Sequence, residues 1–165
     1  MADRQEFGHW EIDTVIGQNS NDQALLTLTE RKTRHEIIIR VNAKDAPSIR
    51  GAVYDLKKKY GEQFTKIFKT ITDDNGSEFA DLSKIVEKDE TKNLFHPPHT
   101  SCERGANERH NGLIRRFIPK GKAISAVSDQ TISYAETWCN QLPRWILGYK
   151  TPQECLEEEL ALLAS

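Results

Sequence analysis

Three segments near the start of the chain, residues 10–16, 24–30 and 35–41, constrain the fold most. Each is rich in β-branched and other apolar residues, and short polar links join them. Such segments predict three antiparallel β-strands connected by hairpins. These three predicted strands precede the first predicted helix in the sequence.

The elements predicted after these strands alternate between helix and strand. Asp45 is a suitable cap for a helix, and Pro47 is tolerated in its first turn. Thr151 opens a terminal helix with a capping box. We also predict strands at 66–72 and 93–95, and helices at 79–86, 103–117 and 129–140. This order predicts an α/β fold, a five-stranded mixed sheet with helices on both faces.

Composition sets limits on the class of protein. At 165 residues, the chain fits a single domain spanning residues 1–165. It has no run of eighteen apolar residues, which predicts no membrane association. Three cysteines, an odd number, argue against a disulfide framework and indicate an intracellular protein with reduced thiols.

Two aspartates stand where local structure disfavours a carboxylate. Asp13 lies inside the first predicted strand, where an unpaired carboxylate is costly unless it finds a cation. The simpler alternative is an edge strand with Asp13 facing water. Asp74 follows a predicted strand end in TDDNGSEF, before the turn signal Asn-Gly. A turn or cap role for Asp74 is the simpler alternative to a chemical role.

The predicted helix at 103–117 has two different faces. One face is an apolar stripe, and the other is polar, small and basic around Glu108. Gly105 and Gly112 on the polar face each cost about 1 kcal/mol relative to alanine, which suggests close approach of a ligand. A solvated face with an Arg104–Glu108 ion pair remains the alternative.

Basic residues are concentrated between 104 and 122, where Glu108 is the one acid, so this segment is a candidate nucleic-acid contact. The candidates for DNA binding are Arg104, Arg109, Asn111, Arg115, Arg116, Lys120 and Lys122. A preceding loop holds His96, His99 and Cys102, whose spacing leaves a zinc site open.

Four motifs, GHWEIDTVIG, TDDNGSEF, ERGANERHNGLIRRFIPKG and GYKTPQE, together resemble the catalytic core of bacterial insertion-sequence transposases of the insertion-sequence-thirty type. These enzymes are relatives of retroviral integrases. The resemblance runs from about Gly8 to Glu158 and implies a ribonuclease H-like fold. It also implies a catalytic and metal-binding triad of Asp13, Asp74 and Glu108, with residues 75–107 between the last two. Asp73 occupies a position that the motif does not require.

The resemblance implies metal-dependent cleavage and joining of DNA. The expected cofactors are two Mg²⁺ or Mn²⁺ ions, with Asp13 bridging both and Asp74 and Glu108 each completing one site. The expected partners are the DNA of the transposon ends and target, together with further copies of the chain in a homo-oligomer. Cys102 stands where relatives often have an aromatic residue. The stacking or packing role of that aromatic residue is therefore not expected in this loop.

By the same resemblance, the chain corresponds to a core without the N-terminal helix-turn-helix region of full transposases. The expected location is the bacterial cytoplasm, at the nucleoid during transposition. Two alternatives remain open at this point. One is a ribonuclease H-like nuclease that only hydrolyses DNA, and the other is a non-catalytic remnant used for DNA binding or oligomerisation.

Overall fold

A computed structural model defines the architecture of most of the chain. The described residues are 5–74, 76–80, 82, 95–96 and 104–165. Among these, only the backbone is described for residues 95–96 and 104–108. Their strands and helices are β1 (His9–Ile16), β2 (Ala24–Glu30), β3 (Glu36–Val41), α1 (Ala46–Tyr60), α2 (Phe64–Ile67), β4 (Thr70–Thr72), β5 (Phe95–His96), α3 (Arg104–Ile114), α4 (Asp129–Gln141) and α5 (Pro152–Ala164).

The five strands form one mixed sheet in the order β3-β2-β1-β4-β5. The first three strands pair antiparallel, whereas β1 with β4 and β4 with β5 pair parallel. Four strands have three or more residues, and β5 has only two. The predicted fold class is confirmed. β1 lies between β2 and β4, although its ladder with β4 ends at Glu11. Asp13 is half-buried and bonded to Asn111 instead of facing water, so the alternative of a water-facing edge position is wrong.

Helices cover both faces of the sheet because strand side chains alternate between them. On one face, Leu26 and Leu28 pack in a core with Ile49 and Val53 of α1. On the other face, Leu25 belongs to a second core, which includes Ile114 of α3, Ile132 of α4 and other buried residues. All residues of β2 are buried, as expected for a strand covered on both sides.

Local capping rules explain where the helices begin. The Asp45 carboxylate accepts a hydrogen bond from the Ser48 amide at 2.8 Å, which caps α1 as predicted. Thr151 and Glu154 form both bonds of the predicted capping box at the start of α5. None of the described helices is long and apolar enough to cross a membrane.

Two predicted elements are wrong in part. The helix predicted at 103–117 ends at Ile114, because the amides of Arg116 and Phe117 bond to carbonyls three residues back instead of four. The strand predicted at 66–72 is restricted to β4, because residues 64–67 form the short helix α2. This turn buries both Phe64 and Ile67, and the Ile67 carbonyl accepts a hydrogen bond from Trp10 Nε1 at 2.8 Å. Long-range packing thus overrides the local β-propensity. Most of the helix predicted at 79–86 lies outside the described residues.

Candidate active site

Asp13 occupies the middle of β1 and faces α3. Its Oδ2 accepts a hydrogen bond from Asn111 Nδ2 at 2.9 Å, and its Oδ1 accepts one from the Thr14 amide at 2.8 Å. Asn111 is 98 residues away in the sequence, so this bond joins the sheet to α3. The carboxylate therefore has a fixed orientation.

Burial raises the pKa of the Asp13 carboxyl above its ordinary value. The hydrogen bonds from Asn111 and Thr14 oppose this rise because they stabilise the anion. The negative charge of Asp74 raises the pKa further, whereas the positive charge of Lys44 lowers it. Both of these charged residues therefore lie within electrostatic reach of Asp13.

The register of the sheet explains why Asp74 is near Asp13. Glu11 of β1 pairs with Thr72 of β4 in the parallel ladder, and each aspartate lies two residues further along its own chain. Neighbouring strands are about 4.8 Å apart. Asp74 is exposed, and its Oδ1 accepts a hydrogen bond from the Gly76 amide at 3.1 Å, so this amide orients the carboxylate.

Glu108 belongs to α3, three residues before Asn111, so both lie on the same side of the helix. Its side chain lies outside the described residues, as does that of Arg104. The predicted apolar face of this helix is confirmed at His110 and Ile114, which are buried. The bond from Asn111 to Asp13 thus brings the C-terminal half of α3 to Asp13.

The segment after α3 is tied to the end of β1. Arg115 Nη2 donates to the Ile16 carbonyl at 2.8 Å, and the Gln18 amide donates to the Lys122 carbonyl at 3.1 Å. Between them, a Cβ at Gly17 would lie 2.3 Å from the Lys122 oxygen. Only glycine permits this approach without a backbone shift, so Gly17 helps hold α3 in place.

Two residues that sequence reasoning missed lie beside the carboxylates. Glu78 is only 8% exposed, and its Oε1 accepts a hydrogen bond from Thr14 Oγ1 at 3.1 Å. Lys44 Nζ lies 3.3 Å from the same oxygen. The Asn-Gly turn drew attention to Asp74, while Glu78 was indistinguishable from a solvated acid. No local pattern indicated these contacts.

Comparison with known proteins finds transposases among the relatives of the chain. No family model matches the chain. It is 44% identical over 152 residues to the transposase for insertion sequence element IS4351 of Bacteroides fragilis, covering 92% of this chain and 45% of that protein. It is 34% identical over 162 residues to the transposase InsI for insertion sequence element IS30A of Escherichia coli K12, covering 98% and 41%. The chain is homologous to insertion-sequence transposases. It spans about half the length of these relatives.

Solved structures confirm that this transposase homologue has a ribonuclease H-like fold. The catalytic core domain of BIV integrase superposes with a TM-score of 0.70 at 15% identity, covering 97% of this chain and all of that one. The HTLV-2 integrase catalytic core domain in complex with magnesium, in a trimeric form, gives 0.64 at 16% identity, covering 89% and 94%. At 15% and 16% identity, the similarity to these structures shows the fold alone.

The basic residues predicted to bind DNA in the transposase homologue have different surroundings. Arg109, Lys120 and Lys122 are exposed. Arg116 is exposed too, and its guanidinium lies over the Trp138 ring, 5.5 Å from the centroid. Asn111 and Arg115 have partners within the protein, because Asn111 donates to Asp13 and Arg115 donates to a backbone carbonyl. DNA binding by all of these residues stays a prediction.

The zinc hypothesis falls largely on residues that are not described. The side chains of His96, His99 and Cys102 lie outside the described residues. The side chain of His110 is buried, with Nδ1 at 3.2 Å from Glu36 Oε2. Within the described part of this transposase homologue, no group of three or more His, Cys, Asp or Glu residues is arranged to hold a metal ion.

Proposed function

We propose that the chain is the catalytic core domain of a DDE transposase, acting in the bacterial cytoplasm. It cleaves DNA at the ends of an insertion sequence and joins those ends to target DNA, and the working complex contains further copies of the chain. The names of the homologous transposases support this proposal. Asp13, Asp74 and Glu108 are the proposed catalytic residues.

The observation that carries the proposal is the environment of Asp13. A half-buried carboxylate on a strand of the sheet is costly unless it has a cation or hydrogen-bond donors. Here it has Asn111 and Thr14 as donors, and the like charge of Asp74 lies nearby. Such a pair of carboxylates gains stability from a cation that both can bind.

The oxygen atoms at this site fit Mg²⁺ or Mn²⁺, which are hard ions that prefer carboxylate ligands. Asp13, Asp74 and Glu108 would hold them. When bound, two divalent ions supply an activated attacking oxygen and stabilise the leaving oxygen of the phosphodiester. Asn111 holds one Asp13 oxygen in place, and the Gly76 amide does the same for Asp74. No side chain of the protein acts as a nucleophile.

The proposed DNA path follows the exposed side of α3 and the segment after it. The exposed basic residues Arg109, Arg116, Lys120 and Lys122 would contact phosphates along this path. The backbone at Gly112 is open to approach, because a Cβ there would meet no neighbour within 4 Å. Arg104, Asn111 and Arg115 would contribute from the helix face that holds Glu108.

A strand-transfer assay tests the proposal. The substrate is a duplex whose 3′ end matches the element's terminus, incubated with the chain and Mg²⁺ or Mn²⁺. We expect cleaved and joined products, and losses of at least about 1000-fold in Asp13→Asn, Asp74→Asn and Glu108→Gln, since metal assistance contributes several kcal/mol.

Asp73→Asn provides the matched control, because it makes the same change one residue from Asp74. It should keep most of the activity. A loss equal to that of Asp74→Asn would contradict the assignment of the catalytic role to Asp74 and not to Asp73. Hydrolysis without joining would instead favour a nuclease. Full joining by any of the three triad variants would refute the proposed catalytic role.

A further inference from the structure

The Lys44–Glu78 ion pair lies close to Asp13 but on the opposite face of the sheet from α3. Thr14, which contacts Glu78, follows Asp13 directly in β1, and successive side chains of a strand point to opposite faces. The pair therefore lies apart from the basic residues of 104–122. Its role is not explained by the proposed catalytic triad.

Glu78 is held firmly for a residue in a turn. Its carboxylate is almost fully buried and has the Thr14 hydroxyl and the Lys44 ammonium as partners on Oε1. On the other side, a Cβ at Gly76 would lie 2.5 Å from Oε2, so Gly76, whose amide orients Asp74, packs directly against this carboxylate. Glu78 thus links Lys44 to the backbone that carries Asp74.

Lys44 is accessible despite this anchor. It lies between β3 and the cap of α1, and its side chain remains 38% exposed. An ammonium group has three donors, so Lys44 can bind Glu78 and still donate to another acceptor. Its positive charge also acts on Asp13. The pair therefore presents a fixed, accessible cation beside the carboxylates.

We propose that Lys44 contacts a phosphate of the DNA strand that lies against Asp13 and Asp74, and that Glu78 is the positioning residue that holds its ammonium there. This inference rests on the proposed function. A lysine suits such a contact because a phosphate oxygen accepts hydrogen bonds from an ammonium without regard to base sequence. The DNA strand would then be contacted from both faces of the sheet, by α3 on one side and Lys44 on the other.

The test measures binding of a duplex DNA to Lys44→Gln without metal, in EDTA, by fluorescence anisotropy between about 50 and 200 mM salt. We expect up to about tenfold weaker binding. We also expect the slope of log affinity against log salt to be shallower by about 1, because one phosphate contact is lost. Lys44→Arg should keep most of the slope.

Lys32→Gln is the matched control. Lys32 also pairs with a glutamate, Glu159, and its side chain is 36% exposed. It follows β2, at the end of the sheet opposite to Lys44. Its substitution should leave the affinity and the salt slope unchanged. Thermal unfolding of each variant verifies that the fold is intact.

Glu78→Gln tests the positioning role, because glutamine keeps an acceptor for Thr14 and loses the charge that holds Lys44. We expect a shallower salt slope in the wild-type background and no further change in the Lys44→Gln background, since residues that act together are not additive. If Glu78 had only a structural role, Glu78→Gln would change the melting temperature, and its effect on the salt slope would not depend on the presence of Lys44.

The outcomes separate the two proposals. If the wild-type chain cleaves DNA while Lys44→Gln binds with wild-type affinity and slope, the Lys44 inference is wrong and the proposed function stands. An equal loss in Lys32→Gln would also refute the inference, because the effect would then be one of overall charge. If the wild-type chain neither binds nor cleaves DNA, both proposals fail together.

Discussion

Asp13→Asn is expected to abolish DNA cleavage and, at the same time, to make the metal-free protein more stable. Burial and the charge of Asp74 raise the pKa of Asp13, so the folded state binds this proton more tightly than the unfolded state does. The free energy of unfolding therefore falls as pH rises through the raised pKa. At neutral pH, burial and the charge of Asp74 make the ionised carboxylate a net cost that asparagine does not have. Asparagine keeps an oxygen for the Thr14 amide, and Asn111 can turn its own amide to accept from the new Nδ2.

The size of this effect can be measured by thermal unfolding in EDTA. We expect the melting temperature of Asp13→Asn to rise by roughly 2–4 °C, which corresponds to about 1 kcal/mol in a domain of this size. The difference should shrink as pH is lowered and Asp13 becomes protonated. Added Mg²⁺ should stabilise the wild type and not the variant.

Asp55→Asn is the control for this experiment, since Asp55 is an exposed residue of α1 and its change should stay within about 0.5 kcal/mol. A lower melting temperature for Asp13→Asn than for the wild type in EDTA would mean that Asp13 stabilises the fold as an anion. The interpretation that the ionised Asp13 carboxylate destabilises the metal-free fold would then be wrong.

Gly17→Ala is expected to destabilise the protein by about 2 kcal/mol, because overpacking against rigid neighbours costs 1–3 kcal/mol. The new Cβ would lie 2.3 Å from the Lys122 oxygen and 2.9 Å from the Ile124 nitrogen, and both are backbone atoms. The melting temperature should fall by roughly 4–8 °C. DNA cleavage should fall as well, since the shift moves α3 relative to Asp13.

Gly112→Ala is the matched control for stability. Gly112 lies within α3, and its added methyl group would meet no neighbour within 4 Å. Alanine is the better helix former by up to about 1 kcal/mol, so this variant should be as stable as the wild type or more so. Equal destabilisation by both changes would show that the close contact at Gly17 is not the cause.

Local rules predicted most of the fold. Strand periodicity located β1 to β3, and capping rules located the starts of α1 and α5, because these features depend on neighbouring residues. The helical turn at 64–67 was missed, since it depends on Trp10, a residue 57 positions away that donates to the Ile67 carbonyl. Contacts of this kind leave no local signal in a sequence.

The candidate site was predictable where a motif marked it. Asp13 and Asp74 lie near each other as the resemblance implied, and Glu108 belongs to the helix that contacts Asp13 through Asn111. The roles of Asn111 and Arg115 inside the protein were not foreseen, because a polar residue on a helix face looks the same whether it meets DNA or a strand. Lys44 and Glu78 were missed for the same reason.

The most direct test of the central claim is a crystal of the protein soaked in Mn²⁺, examined by anomalous scattering. The account predicts a peak between the carboxylates of Asp13 and Asp74, lost in crystals of Asp13→Asn. Metal analysis of the purified protein should find no stoichiometric zinc. A peak only at a different place, such as the loop with His96, His99 and Cys102, would contradict the account.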